Sequence, residues 1–163
     1  LMLISAIVCA LLVAANAATK DKIVQAQEDK FSKSISDTFG KADYTTVDLS
    51  IDGIDSVTKD ENGRIIFEIT ADGYAKGGLH LLIGFDNQGA VEGISFLSID
   101  ETPGLGTKVQ DDESFTEQFK GVSSADYDFS VITGATYSSN GMKSAVDQAL
   151  KAYNEHKEEI LNG

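Results

Sequence analysis

The sequence predicts an α+β domain joined to one N-terminal helix, and three observations lead to this fold class. Residues 1–18 contain no Asp, Glu, Lys or Arg, so the charge of the chain lies entirely after them. Apolar and polar residues alternate in several runs between positions 64 and 99, which is typical of antiparallel strands. From position 136 onward apolar residues recur at helical spacing, which predicts a long C-terminal helix packed on the sheet.

Residues 1–18 are the first predicted element, a transmembrane anchor. A helix of that length spans about 27 Å, close to the roughly 30 Å hydrocarbon core of a bilayer. A cleaved signal peptide is the alternative, because Ala15, Asn16 and Ala17 resemble a small-x-small cleavage site. The length of the apolar run favours the anchor. The chain begins at Leu1 rather than Met, so we expect preceding residues that carry the positive charges orienting the helix.

Residues 19–40 are predicted to form a helical stalk, because neither Gly nor Pro occurs between positions 14 and 39 and Gly40 follows. Residues 41–163 are then the globular domain, in which turn sequences at 60–63 and 86–89 separate alternating runs. In chain order, its predicted elements are strands 45–51, 55–59, 64–74, 79–85 and 90–99, a helix 111–120, a strand 127–132 and a helix 136–161.

The composition excludes several classes of function. The chain has 26 acidic and 13 basic residues and a net charge of −13, which argues against a nucleic-acid partner, since phosphates require a basic surface. A single Cys excludes an internal disulfide and any Cys-based zinc or iron–sulfur site. Two distant His residues give no basis for a metal site.

Two glycine-containing segments are the candidate ligand-binding loops. Residues 101–108 hold the only Pro, two Gly and a Lys, so their backbone N–H groups could approach and bind an anion, although a plain turn has the same composition. Residues 133–141 lie where the C-terminal helix begins. A phosphate there would meet free N–H groups and the positive end of the helix dipole. A well-capped helix start explains the same Thr and Ser residues.

Thr133-Gly134-Ala135-Thr136 resembles the Ser/Thr-Gly-Ala-Thr motif of the covalent FMN-binding domain family, and residues 101–106 resemble that family's Glu-Thr-Pro-Gly-Leu-Gly loop. The resemblance covers about 45–161 together with the N-terminal helix. It implies that FMN is joined by a phosphodiester bond to Thr136 and that a separate flavin transferase makes this bond. The other FMN contacts that it implies are with Glu101, Thr102, Leu105, Gly106, Lys108, Thr133, Gly134, Ala135, Ser138 and Ser139.

Within this family, the anchor and domain are most similar to the G subunit of the Rnf ion-translocating ferredoxin:NAD oxidoreductase. The resemblance implies an extracytoplasmic electron carrier, single-pass in the cell membrane, not catalytic alone and partnered by other membrane subunits. One alternative is the C subunit of the sodium-pumping NADH:quinone reductase. Another is a tethered binding or sensory domain without flavin. The sequence departs from the family at Ser130, where members usually carry an Asp that bears on the transferase step.

Three aromatic residues have two interpretations. Tyr74, Phe96 and Tyr137 could stack on an isoalloxazine ring, but the pattern favours packing of all three in the core. His80 is predicted on the strand face opposite the apolar one, at the surface or half-buried.

Overall fold

The computed structural model describes residues 2–162, so Leu1 of the predicted anchor and Gly163 of the predicted domain lie outside the described residues. The chain divides into two compact units between Lys33 and Ser34. The elements are α1 (Met2–Phe39), β1 (Tyr44–Val47), β2 (Ser56–Asp60), β3 (Ile65–Ala71), β4 (Leu79–Phe85), β5 (Val91–Ile99), α2 (Lys108–Asp111), α3 (Glu113–Glu117) and α4 (Thr136–Asn162).

The first unit consists of the N-terminal part of α1. This helix is long and apolar enough to cross a membrane, and its apolar window has no buried residue, so α1 is a candidate membrane span. The helix continues without a break past position 18, into the segment predicted as a stalk. It ends before Gly40, as the sequence predicts, because Gly40 adopts a φ of +85° that favours glycine.

The second unit is built on a five-stranded antiparallel meander with the order β1-β2-β3-β4-β5. The predicted alternation of β3 and β4 is confirmed: Phe67 lies opposite Ile83, and Ile69 lies opposite Leu81, all fully buried. Helix α4 packs on this face and completes the core, which confirms the α+β prediction. Its buried stripe includes Met142, Ala145, Val146, Ala149, Leu150 and Tyr153.

The last turns of α1 belong to this second unit and cover part of the opposite sheet face. Ile35 and Phe39 are buried, and a Cβ at Gly84 would overlap the Phe39 ring. On the sheet face that these two side chains cover, Ile66 and Leu82, which are neighbours of Gly84, are also buried. The alternating pattern predicts one buried face, and α1 explains why the second face is partly apolar as well.

Arg64 fixes the end of α1 to the sheet. Its Nη1 donates to the carbonyl oxygen of Phe39 at 2.6 Å, and its Nη2 donates to Glu92 Oε1 at 2.8 Å. Burial alone lowers the pKa of Arg64, but hydrogen bonding and charge pairing with Glu92 outweigh it and raise the pKa. On the same sheet face, His80 is half-buried as predicted, with Nε2 2.7 Å from Glu68 Oε1.

Two predicted elements after the sheet are wrong. The predicted strand 127–132 has no strand neighbour among the described residues; instead, the Gln118 side chain accepts from Ser130 N and donates to Ser130 O. The predicted helix 111–120 is shorter in the structure, where only α3 lies fully within this range. Asp112, between α2 and α3, is extended, and its carboxylate accepts from Ser114 N, which caps α3. Strand β1 is also shorter than the predicted 45–51.

Candidate functional site

The candidate site is centred on the start of α4. Gly134 adopts a φ of +85°, and Ala135 N donates to Ile132 O at 2.9 Å, so the chain turns sharply before Thr136. Thr136 is the first helical residue and is exposed. The first hydrogen bond of α4 runs from Ser139 N to Ala135 O at 2.8 Å. The N–H groups of residues 136–138 come before this bond, so they have no carbonyl partner within the helix. This geometry suits an anion beside the Thr136 hydroxyl.

A buried carboxylate, Glu101, joins three segments beneath this helix start. Its Oε2 accepts from Ser138 Oγ at 2.7 Å and from Tyr74 N at 3.2 Å, and its Oε1 accepts from Ala75 N at 3.2 Å. A Cβ at Gly106 would lie 2.8 Å from both Ser138 Oγ and Glu101 Cβ, so glycine is required for this close approach. Glu101, Gly106 and Ser138, predicted from two separate motifs, therefore lie together.

The loop that follows Glu101 folds back on itself and meets the motif. Gly104 has a φ of +73°, and its N–H donates to Thr107 Oγ1 at 2.9 Å. Leu105 N donates to Thr102 O at 3.1 Å, and the Leu105 side chain remains exposed. A Cβ at Gly134 would lie 3.8 Å from Leu105 Cδ2. The two candidate loops are thus neighbours, although 28 positions separate Thr133 from Leu105.

Ser139 and Thr133 have different surroundings. Ser139 is fully buried, and its Oγ accepts from Ile132 N at 3.1 Å, which holds the motif loop on the helix. Thr133 and Lys108 line an open cleft of about 770 Å³ beside the motif. The other residues lining this cleft are Asp111, Asp112, Glu113, Ser114 and Ile132. Lys108 is positively charged, and the other charged residues that line this cleft are acidic.

The structure adds one segment that the sequence analysis did not assign to the site, the loop 72–78 between β3 and β4. Tyr74 and Ala75 donate to Glu101, and a Cβ at Gly73 or Gly78 would overlap the Glu101 carboxylate. The glycines at 73, 77 and 78 are the sequence signal for such a close approach of backbone to side chain.

The predicted core packing of the aromatic residues is wrong for two of the three. Tyr74 is 73% exposed and Tyr137 is 71% exposed, and their rings form an edge-to-face pair with centroids 6.1 Å apart. Phe96 is partly buried against the core, as predicted. Tyr137 directly follows Thr136 in the chain, and Tyr74, whose backbone N–H donates to Glu101, contacts the Tyr137 ring.

Comparison with known proteins shows a similarity to one family. Residues 73–151 match the family described as FMN-binding domain, and they include both candidate loops and the start of α4. This part of the chain is therefore similar to the FMN-binding domain family.

Several curated relatives are each named as the G subunit of an ion-translocating oxidoreductase complex. That of Aliivibrio fischeri is 31% identical over 119 residues, covering 65% of this chain and 56% of the relative. That of Shewanella piezotolerans is 33% identical over 107 residues, covering 58% and 50%. That of Shewanella amazonensis is 28% identical, covering 96% of this chain and 87% of the relative. The chain thus spans about half the length of the first two.

Proposed function

We propose that this chain is a membrane-anchored electron carrier, a G-type subunit of an Rnf-type ion-translocating oxidoreductase, with FMN joined by a phosphodiester bond to Thr136. The observation that carries the proposal is the exposed Thr136 at a helix start, inside the segment that matches the FMN-binding family. The names of the relatives support the type of complex.

The residues around Thr136 fit a phosphate-linked flavin. The N–H groups of the first turn and the helix dipole stabilise a phosphodiester next to the Thr136 oxygen. Gly134 and Ala135 leave the approach open, while Ser138 and Ser139 are buried and hold the helix start in place. Thr133 and Lys108 line the adjacent cleft, where they can contact the rest of the cofactor. FMN, when bound, supplies electron transfer in one- or two-electron steps.

The proposal extends to the surroundings of the domain. Segment 1–18 is the anchor, 19–40 the stalk, whose residues from Ser34 onward pack with the globular unit, and 41–163 the FMN-binding domain, which stands on the extracytoplasmic side of the cell membrane. The candidate span in α1 supports the membrane location. The partners are the other membrane subunits of the complex and a flavin transferase that attaches FMN. A covalent bond suits this location, because a dissociable cofactor outside the cell would be lost by dilution.

The attachment is tested by the intact mass of the chain after expression with a flavin transferase. The wild type should gain the mass of one FMN less one water and show flavin fluorescence after denaturation. Thr136→Ala should show neither, because it lacks the accepting hydroxyl. Thr45→Ala, at an exposed position of β1 outside the candidate site, is the matched control and should still carry FMN, since Thr136 remains. An unmodified wild type, or a modified Thr136→Ala chain, would contradict the proposal.

Ser130 provides a separate test of the transferase step. Ser130 is exposed, and Gln118 holds its backbone through two hydrogen bonds, so the position is both ordered and accessible. Family members resembling this chain usually carry an Asp there. Ser130→Asp should therefore raise the fraction of chain modified in a fixed time, measured by mass. Ser123→Asp, at another exposed position, should leave that fraction unchanged. Equal fractions in the two variants would exclude a role for position 130.

A further inference from the structure

The exposed apolar surface of the globular unit is concentrated around Thr136. In the described residues after α1, the large apolar side chains that are exposed are Tyr74, Leu105, Val131 and Tyr137. Tyr137 follows Thr136, Val131 precedes the motif by two positions, and Leu105 is the side chain nearest a Cβ at Gly134. Apolar patches of this kind on a folded domain mark binding sites.

The two tyrosines of this patch are held in position although their rings are exposed. Tyr74 N donates to Glu101 Oε2, and the same oxygen accepts from Ser138 Oγ on the first turn of α4. Tyr137 lies on that same turn. Glu101 therefore holds both the backbone of Tyr74 and the first turn of α4, which carries Thr136 and Tyr137.

These rings contribute little to the folded core. By contrast, Tyr153 is 3% exposed and stacks on Phe85, with ring centroids 5.0 Å apart. Tyr74 and Tyr137 leave most of their apolar area in water, so their burial does not account for their position. A flat ligand that covers them would remove this area from water without any change in the fold.

We propose that Tyr74 and Tyr137, together with Leu105, form the contact surface for the isoalloxazine ring of FMN attached to Thr136. This inference rests on the proposed function and adds to it the residues that hold the ring. Aromatic side chains favour offset-stacked or edge-to-face contact with a planar ring system, and Tyr137, which is paired with Tyr74, directly follows the attachment residue. The bond at Thr136 keeps the isoalloxazine ring within reach of this surface.

The test compares flavin fluorescence in the folded and denatured states of the modified full chain. A tyrosine ring in contact with an isoalloxazine quenches its emission, so wild-type fluorescence should rise several-fold on denaturation. Tyr74→Leu and Tyr137→Leu keep an apolar side chain but remove the quenching ring. Each should raise the native-state fluorescence, and the double variant should nearly abolish the change on denaturation. Tyr44→Leu, at the opposite end of the sheet, is the control and should match the wild type.

The outcomes separate this inference from the proposed function. Intact mass is measured first, and an unmodified wild type would overturn the attachment and with it the ring contact. A correctly modified chain whose native fluorescence is the same in the wild type and in the double variant would overturn the ring contact alone. The patch would then be assigned to a partner protein. Circular dichroism keeps the result interpretable, because substitutions at exposed positions should leave the fold intact.

Discussion

Glu101 shows how one side chain organises the candidate site. Its carboxylate is almost fully buried, and its hydrogen bonds come from the loop 72–78 and from α4. A buried carboxylate is costly unless donors surround it, so each donor stabilises both the charge and its own segment. The geometry around Thr136 therefore depends on Glu101, a residue of the other motif.

Ser138→Ala tests this dependence directly. The variant removes the hydroxyl donor at 2.7 Å and leaves the buried carboxylate with two backbone donors. We expect a loss of about 1.5–3 kcal/mol in the free energy of unfolding, typical for a hydrogen bond to a charged group. Urea denaturation measures it, and the exposed Ser123→Ala is the control, expected within about 0.5 kcal/mol of the wild type. A Ser138→Ala chain as stable as Ser123→Ala would contradict this role of Glu101.

Tyr127 predicts a pH dependence of stability. Burial, and then the negative charge of Asp147, raise the pKa of Tyr127 above its ordinary value of 10.0, although Lys143 Nζ lies 4.7 Å from its ring centroid. Above pH 10 the unfolded chain releases this proton while the folded chain retains it. The stabilisation from Tyr127 is thus complete below pH 10 and is lost as the pH rises towards the folded-state pKa.

The measurement is the free energy of unfolding between pH 9 and pH 11. Tyr127→Phe has no proton to release at this position, so its stability should fall less steeply with pH than that of the wild type. Tyr74→Phe, which changes an exposed tyrosine, is the matched control and should keep the wild-type slope. Identical slopes for the wild type and Tyr127→Phe would show that Tyr127 does not titrate differently in the folded state.

At the residue scale, the sequence predicts the motifs but not the links between them. Thr136 is predicted at the helix start because Thr and Gly have strong local preferences there. The bond between Ser138 and Glu101 joins residues 37 positions apart, and no local pattern contains that information. The sequence places Tyr74 and Tyr137 in the core because tyrosine is usually partly buried, whereas here both border a candidate ligand site.

At the scale of elements, α4 packs directly on the backbone at the end of β3. Gly141 allows it: a Cβ there would overlap the carbonyl oxygen of Asp72 and lie 2.9 Å from Leu79 Cδ1. The backbone of Asp72 leads directly into the loop that carries Tyr74. Because Gly141 has no side chain, α4 can pack directly against the backbone where this loop begins.

Gly141→Ala should destabilise the domain although alanine is the better helix former. Helix propensity alone would stabilise the variant by about 1 kcal/mol. The overlap with the Asp72 backbone should cost more, leaving a net loss of about 1–3 kcal/mol, as for other overpacked sites. Chemical denaturation measures the difference. Asn140→Ala, at the neighbouring exposed position, should be neutral or slightly stabilising, and a stabilised Gly141→Ala would contradict the close packing.

The elements that the sequence predicts well are those with a strong periodic pattern. Strand β4 has the predicted bounds because its alternate residues point into the core, and α4 starts at the predicted residue. The predicted strand at 127–132 is wrong, because the Gln118 side chain supplies the hydrogen bonds that another strand would give. When a side chain takes the place of a neighbouring strand in this way, the sequence carries no periodic pattern that would reveal it.

At the scale of the whole molecule, the globular unit includes the end of the helix that precedes it. Ile35 and Phe39 are 2% and 5% exposed, and Arg64 binds the last carbonyl of the helix. The folded unit therefore starts at Ser34, before Gly40 and before the first strand.

Two truncated chains test this boundary. A chain that starts at Ser34 should unfold cooperatively in urea, since it keeps both buried side chains. A chain that starts at Lys41 should lose at least about 4 kcal/mol, because truncating a single buried Ile or Phe already costs about 2–5 kcal/mol. Phe39→Ala in the longer chain separates this packing from the length of the helix. Equal stability of the two truncated chains would show that the domain begins after Gly40.

The contacts of Glu101 also bear on when a chain becomes ready for its cofactor. The carboxylate joins residues 27 positions before it and 37 positions after it, so the surroundings of Thr136 form only after α4 has been synthesised and docked. Under the proposed attachment, an enzyme that recognises these surroundings would modify finished chains and pass over nascent or misfolded ones. Attachment of the flavin would then depend on correct folding, so that only folded chains would carry the cofactor.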